Sequence, residues 1–319
     1  MPRFGGCLHI PPESEDDHTV TLTQRDREIL DFERTWWNDP APKDVQVLER
    51  FELSATRYHQ LLSALLDDAE AGRDHAAAMV EAGAAIIDVG GESTRPGAKP
   101  LWEGDEIKRV VPAIEACAGM GAAVSVDTRK AAVMEAALDA GAHLVNDVSG
   151  LAHDPRSVEV VAQAGCPVVL MHAPGAAHED LHTGGAYTSV VFDVFDALRA
   201  RRDAALEAGI EACNILLDPG IGFGKSLAEN LALMNALPLF HALGHPLLLG
   251  ASRKRMIGAL SKEAPVDQRL GGSVALALEG MRAGVQVVRV HDVAETVQAR
   301  NVWRGLRDAA LTDFADLPA

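Results

Sequence analysis

The 319-residue chain has little cysteine, a shortage of positive charge and no long hydrophobic run, and each shortage excludes a class of protein. Its four cysteines, Cys7, Cys117, Cys166 and Cys213, are scattered, without CxxC or Cys/His spacing. That argues against a disulfide framework or a zinc site and fits a reducing cytoplasm. Lysine and arginine number 29 against 46 acidic residues, a formal charge of -17. Such a balance repels nucleic acid and anionic membrane, so any phosphate site must be a local basic pocket. No apolar run approaches the ~20 residues of a membrane span, and "MPRFGGCLHI" lacks the basic and apolar regions of a signal peptide. "GIGFGK" lacks the spacing of a Walker loop or a dinucleotide fingerprint. What is present is an ordinary hydrophobic fraction, 48%, in an acidic α/β protein expected in the cytoplasm.

From about Gly83 onward one pattern repeats: a short apolar strand, a polar or glycine-rich turn, then an Ala/Leu-rich amphipathic helix. The strand candidates are "AAIIDVGG", "AAVSVDT", "AHLVNDVSG", "CPVVLMHAPG", "NILLDPGIGFG", "PLLLGASRK" and "QVVRVHD". Nearly continuous apolar runs are expected of parallel strands covered on both faces. "EIKRVVPAIEACAG" and "KAAVMEAALDAG" read as intervening helices, the second closed by Gly141. Seven consecutive βα units predict a (β/α)8, TIM-barrel-like fold over residues 73–319 that lacks the usual first strand and its loop. The earlier residues differ. "HIPPESEDDHT" makes residues 1–20 read as disordered. Residues 21–70 read as a small three-helix module. Its first helix, in "TQRDREILDFERTWW", has Thr23 and Asp26 as caps and sets Ile29, Phe32 or Glu33, and Trp36 at helical spacing. "DVQVLERF" is a short second helix, and a third starts at Ser54 and aligns Tyr58, Leu61, Leu62 and Leu65.

Every polar cluster falls at the C-terminal end of a strand, where barrel enzymes place their chemistry. In order these are Asp88, Glu92, Ser93, Thr94 and Arg95; Asp127 and Thr128; Asn146 and Asp147; Met171 and His172; Asp218 with "GIGFGK" through Lys225; Ser252, Arg253 and Lys254; and Arg289, His291 and Asp292. Asp127, Asn146 and Asp218, beside Met171 and Phe223, suit a flat heterocycle with an amino-amide edge, because a carboxylate accepts two N–H bonds side by side and an amide both donates and accepts. Arg95, Lys254, Arg289 and His291 form a cationic half suited to a diphosphate. Singly these residues have plainer readings: an aspartate capping the next helix, His172 as a satisfied structural histidine, Lys225 near a helix start without a ligand. The specificity lies in the whole set converging on one rim.

As a set, "IIDVGGESTRPGA", "VSVDT", "VNDVSG", "LMH", "LDPGIGFGK", "GASRK" and "RVHDV" resemble dihydropteroate synthase, the pterin-binding barrel family of folate synthesis, from about residue 73 to the C-terminus. The resemblance implies an enzyme that joins 6-hydroxymethyl-7,8-dihydropterin diphosphate to p-aminobenzoate and releases pyrophosphate. It implies that Asp127, Asn146 and Asp218 hold the pterin edge, with Lys254 close to the ring and Met171 packing on it, and that Asp147 and Lys225 belong to the substrate-binding set. Arg289 and His291 would hold the diphosphate, Thr94 and Arg95 would close over p-aminobenzoate, and Phe223, Gly250 and Ser252 would line that second pocket. Lys254, Arg289, His291 and Asp127 are the expected catalytic set. Magnesium is the implied cofactor, with its protein ligands unknown, and a homodimer through late barrel helices the implied assembly.

The chain departs from the family at its start. The family's first strand ends in an "NVTPDSFSDGG"-type loop whose Asn binds magnesium; no "NxTPDSF" occurs here. Counting back from Asp88 by the family's usual interval lands near Ser54, in "SATRYHQLLSA", where only Thr56 agrees. Residues from about 20 to 70 instead resemble a small bacterial helical family of unknown function with a helix-turn-helix-like outline. The alternative is a divergent first strand in "GGCLHI", Cys7 to Ile10, followed by a long insertion. The missing strand predicts an open barrel with impaired activity. A second functional reading is a non-catalytic pterin-diphosphate binder, or a regulator whose module contacts DNA or protein through Arg57 and His59. The module's acids, Asp26, Glu28, Asp31, Glu33, Asp39, Asp44, Glu49 and Glu52, argue against DNA.

Overall fold

The structure, a computed structural model, describes residues 24–25, 28–29, 32, 43–52, 69–94, 98–175, 177–178 and 180–309. The expectations for residues 1–20, for Trp36, for the third helix from Ser54 and for Arg95 lie outside these residues.

In the N-terminal module Gln24, Arg25, Glu28, Ile29 and Phe32 are helical, and α1 covers Lys43–Phe51. Ile29 and Phe32, three apart on one helix face, are both buried. Phe32 meets Phe51 edge-on at 5.2 Å, and the Arg50 guanidinium lies over both rings at 5.6 and 5.7 Å. Arg25 donates to the Phe51 carbonyl at 2.8 Å, which ties the first helical residues to the end of α1. Helix α2 (Ala69–Glu81) places Ala76 in the same core as Ile87 and Val110.

All the predicted strands are present: β1 (Ile86–Gly90), β2 (Ala123–Asp127), β3 (Leu144–Asp147), β4 (Val168–Met171), β5 (Ile215–Asp218), β6 (Leu248–Leu249) and β7 (Val287–Val288). The first five pair in parallel in sequence order, β6 pairs with β7 in parallel, and a Leu217–Leu247 bridge joins the two sets. The intervening helices are α3 (Glu103–Gly119), α4 (Ala131–Asp139), α5 (Ser157–Ala164), α6 (Val190–Glu207), α7 (Leu227–Asn235), α8 (Leu237–Phe240), α9 (Arg255–Leu260) and α10 (Leu270–Arg282), and α11 (Val293–Ala309) follows β7. Local chemistry sets their ends. α4 stops before Gly141, whose φ is +104°, and α7 opens on a capping box in which Ser226 and Glu229 satisfy each other's backbone N–H groups. Parallel pairing puts every strand's C-terminal end on the same side, and the register sets Asp127 beside Asn146 and Met171 beside Asp218.

The strands are unequal. β4 is wholly buried, and Val124, Val126 and Val145 are sealed in the core. β1 buries only Ile87 and leaves Ile86 39% exposed, and both residues of β7 are half-buried. β1 and β7 share no hydrogen-bonded pair among the described strands. A closed barrel has no edges, so among the described residues β1 and β7 border a seam where a closed barrel would have a further strand.

Candidate active site

Asp127 and Asn146 stand on adjacent strand ends, Asp218 stands two strands further on beside Met171, and all three are largely buried. Burial pushes the Asp218 carboxyl up from its ordinary value even though its Oδ1 accepts from the Gly220 N–H at 2.7 Å. Burial and the charge of Asp88 raise Asp127 to about 7, against the pull of Arg289. The Lys254 ammonium donates to the Ile221 carbonyl and sits 4.3 Å from the centre of the Phe223 ring; burial lowers it to about 8, with Asp218 restoring part of the loss. Lys254 passes so close to Gly222 that a Cβ there would meet its Cδ at 2.6 Å, and Gly222 has φ +83°, so the glycine is needed twice over. Met171 packs with Val148 and Leu181, and Phe223 leans on that small cluster.

Arg289, at the end of β7, crosses the seam. Its Nε donates to Asp88 Oδ2 at 2.5 Å and one terminal nitrogen to Asp127 Oδ2 at 3.0 Å. The side chain is still 44% exposed, so solvent and ligands can reach it. The two carboxylates hold its pKa even higher than an arginine's ordinary value against the opposing effect of burial. Next to it His291 shares a hydrogen bond of 3.0 Å with Ser252 Oγ, which is buried. Gly250 lies below: a Cβ there would just touch Arg289 Cβ at 4.0 Å. Across the rim, His182 stacks on Phe223 at 5.1 Å and bonds the Thr94 carbonyl at 2.6 Å, which tethers the β1 loop to the segment after β4.

Two of the expected residues are engaged in their own loops. Asp147 Oδ1 accepts from the N–H and hydroxyl of Ser149, and its Oδ2 from the Leu151 N–H. Lys225 donates to the carbonyls of Gly220, Phe223 and His172 at 2.8, 3.0 and 3.4 Å, and burial lowers it to about 7. Its neighbour His172 does not match the plain reading of a satisfied structural histidine: Nδ1 is buried without a partner, and burial together with Lys225 holds the ring down to about 3.

The family described as pterin binding enzyme matches residues 60–291. The chain belongs to the pterin-binding enzyme family. A family of proteins of unknown function, DUF3263, matches residues 21–80, so the two matches overlap at the segment that holds α2. The dihydropteroate synthase of Bacillus subtilis is 44% identical over 223 residues, 69% of this chain and 75% of that one. A probable bifunctional folylpolyglutamate synthase/dihydropteroate synthase of Haloferax volcanii is 48% identical over 243 residues; this chain spans 28% of that longer protein. A solved dihydropteroate synthase from Xanthomonas albilineans, bound to 4-aminobenzoic acid, superposes with a TM-score of 0.71 at 44% identity, covering 75% of this chain and 85% of that one.

The resemblance implies magnesium, and the carboxylates at the seam are Asp88 and Asp127. Among the described residues no three His, Cys, Asp or Glu side chains converge as a metal-holding group, and Arg289 already occupies Asp88 and Asp127. These residues do not form a protein-held magnesium site.

Two residues escaped the sequence-based site. Glu92 was visible only as part of a polar stretch. Its carboxylate accepts from Arg129 at 2.7 Å, Lys130 at 2.8 Å and the Leu101 N–H at 2.9 Å. Burial alone would raise Glu92, but those donors outweigh it and take it down to about 2. Lys130 also pairs with buried Glu106, which accepts from Thr128 at 2.6 Å. The cluster fastens both ends of the Gly91–Leu101 loop, and Gly91 admits α3 beneath it: a Cβ there would meet Glu106 Cγ and Val110 Cγ1 at 2.9 Å. The other is Asp88, whose strand-end position was the only sequence signal; its partners come from β3 and β7.

Proposed function

We propose that this chain is a dihydropteroate-synthase-type transferase that condenses 6-hydroxymethyl-7,8-dihydropterin diphosphate with p-aminobenzoate to give 7,8-dihydropteroate and pyrophosphate. The observation that carries the reading is the meeting of two chemistries on one rim of a pterin-binding family barrel: buried acceptors at Asp127, Asn146 and Asp218 beside Lys254, and an accessible guanidinium at Arg289 beside His291. In this reading Asp218 and Asn146 take the amino-amide edge of the pterin, Met171 packs on its face, and Lys254 lies against the ring. Arg289 and His291 hold the diphosphate. The C–O bond to the diphosphate breaks, and its electron pair leaves with pyrophosphate. The arylamine nitrogen then bonds to the methylene cation and gives up a proton. The protein contributes preorganised charge for the departing diphosphate and a fixed place for the amine, the latter by Phe223, Gly250, Ser252, Thr94 and Arg95.

The reading keeps residues 73–319 as the barrel and 21–70 as an appended module, and takes the assembly as a homodimer. Exposed Val302 and Leu306, four apart on α11, support that assembly, since large apolar groups in register on one helix face favour a partner. A second reading, a pterin-diphosphate binder without turnover, is favoured by the seam between β1 and β7 among the described strands and by the engagement of Arg289 with Asp88 and Asp127.

A coupled pyrophosphate-release assay separates the two. Release that depends on p-aminobenzoate is the expected result, at a rate below that of synthases with a closed barrel. Tight binding of the pterin diphosphate without release would establish the binder, and absence of both would overturn the two readings together.

A further inference from the structure

We infer that Asp88 is a positioning residue that sets both halves of the rim at once, orienting the Asn146 amide for the pterin and holding the Arg289 guanidinium across the seam for the diphosphate. The inference rests on the synthase reading for its ligands.

Asp88 is the middle residue of β1, and its side chain is mostly buried. Its Oδ2 accepts from Asn146 Nδ2 at 3.2 Å and from Arg289 Nε at 2.5 Å. An amide has one acceptor oxygen and a two-donor nitrogen. A carboxylate that takes one N–H fixes which end is which and leaves the Asn146 oxygen for an incoming donor. An arginine with one carboxylate at Nε and another at a terminal nitrogen is held in a single orientation, so its remaining donors are preorganised. Asp88 Oδ1 is buried and has no partner. A purely structural carboxylate would have both oxygens satisfied, as Glu92 and Asp147 do. The arrangement is instead one anion shared among two site residues belonging to non-adjacent strands, with capacity left over.

The consequence is a pattern of opposite signs. Replacing Asp88 by Asn keeps the shape and removes the charge. Free pyrophosphate, which needs only positive potential, should bind more tightly because the anion competing for Arg289 is gone. The pterin alcohol, which needs the oriented Asn146 amide, should bind more weakly, because a neutral amide accepts from Asn146 less strongly than a carboxylate and can turn its NH2 toward it instead.

The test is calorimetry on the full chain and on Asp88→Asn with three ligands: inorganic pyrophosphate, the pterin alcohol and the pterin diphosphate. We expect Asp88→Asn to tighten pyrophosphate about threefold. It should weaken the alcohol at least about tenfold. The first change should vanish in an Arg289→Ala background and the second in an Asn146→Ala background. General damage to the fold would weaken all ligands alike, and that outcome, or unaltered affinities, overturns the inference. A ligand-free arm decides the seam half independently: Asp88→Asn should restore part of the melting temperature lost in Arg289→Ala, because Asp127 and Asp88 would otherwise face each other without their common cation. Additive losses in that cycle overturn the Asp88–Arg289 link. If the unaltered chain binds neither pterin ligand, the synthase reading and the Asn146 half fall, while the melting cycle still decides the Arg289 half without any ligand.

Discussion

Two ionic clusters hang from β1 and its loop, and they are built to opposite specifications. Beneath the Gly91–Leu101 loop, Glu92 and Glu106 meet Arg129 and Lys130. Glu92 is 4% and Arg129 2% exposed, and the Glu92 carboxyl is held far on the ionised side. At the seam, Asp88 and Asp127 meet one arginine, which is 44% exposed; one carboxylate oxygen is unpartnered, and Asp127 is pushed toward its protonated form. The first cluster has balanced charge, little access and a Glu92 carboxylate with both oxygens satisfied. The second has surplus negative charge, access and an Asp88 carboxylate oxygen without a partner. The difference separates a fastening from a site: a group that must exchange partners with a ligand cannot be fully satisfied beforehand.

The largest expected effect breaks the fastening. Glu92→Ala leaves Arg129 and Lys130 buried with less compensation, a loss of about 3–5 kcal/mol in denaturant unfolding. A change under about 1 kcal/mol would show that the cluster relaxes to solvent and that the contrast is false.

Next comes the rim. Asp218→Ala should leave folding intact and weaken pterin diphosphate binding at least tenfold, since a buried amino-amide edge without its partner costs about 1–3 kcal/mol. Equal affinity of the two proteins in calorimetry would remove Asp218 from the site.

The sharpest version of the comparison is in pH. The folded value of Glu92, about 2, lies below its ordinary 4.5, so its stabilisation is fully present above pH 4.5 and is lost as pH falls toward 2. The folded value of Asp127, about 7, lies above its ordinary 3.8. Between those values the unfolded chain holds fewer protons at this group, so Asp127 subtracts stability as pH rises from 3.8 to 7. Asp127→Asn should therefore flatten the fall of melting temperature over that range and leave the acid limb below 4.5 in place. If Asp127→Asn leaves the upper slope as it was, the carboxyl is ionised throughout that range and burial beside Asp88 does not hold its proton.

The smallest effect is a control outside both clusters. Ser226→Ala removes one arm of the α7 capping box and should cost about 1 kcal/mol in stability with no change in ligand affinity. A matching loss of pterin binding would mean that the rim reports global stability, and the ligand-based comparisons would need that correction.

The sequence by itself determined the strands, the class of fold and the candidate rim. Buried parallel strands are written as continuous apolar runs with polar residues just beyond them, and that local pattern does not depend on what the rest of the chain does. Thus Asp127, Asn146 and Asp218 could be assigned to strand ends before their register was known. Tertiary structure alone decided what each polar group is occupied with. Asp147 turns into its own loop, Lys225 onto three carbonyls, and His172 keeps an unpartnered nitrogen, although all three read in sequence as members of one polar rim. Glu92 and Asp88 acquire their roles from side-chain partners 37 or more residues away. The partners of Asp147 lie within four residues of it, but the side-chain partners of Glu92 and Asp88, and the desolvation of every group, are set by which strands and loops meet in space, so no window of sequence contains them. The same holds for the seam: the missing first-strand motif announced it, but only the approach of β7 to β1 put Arg289 between Asp88 and Asp127.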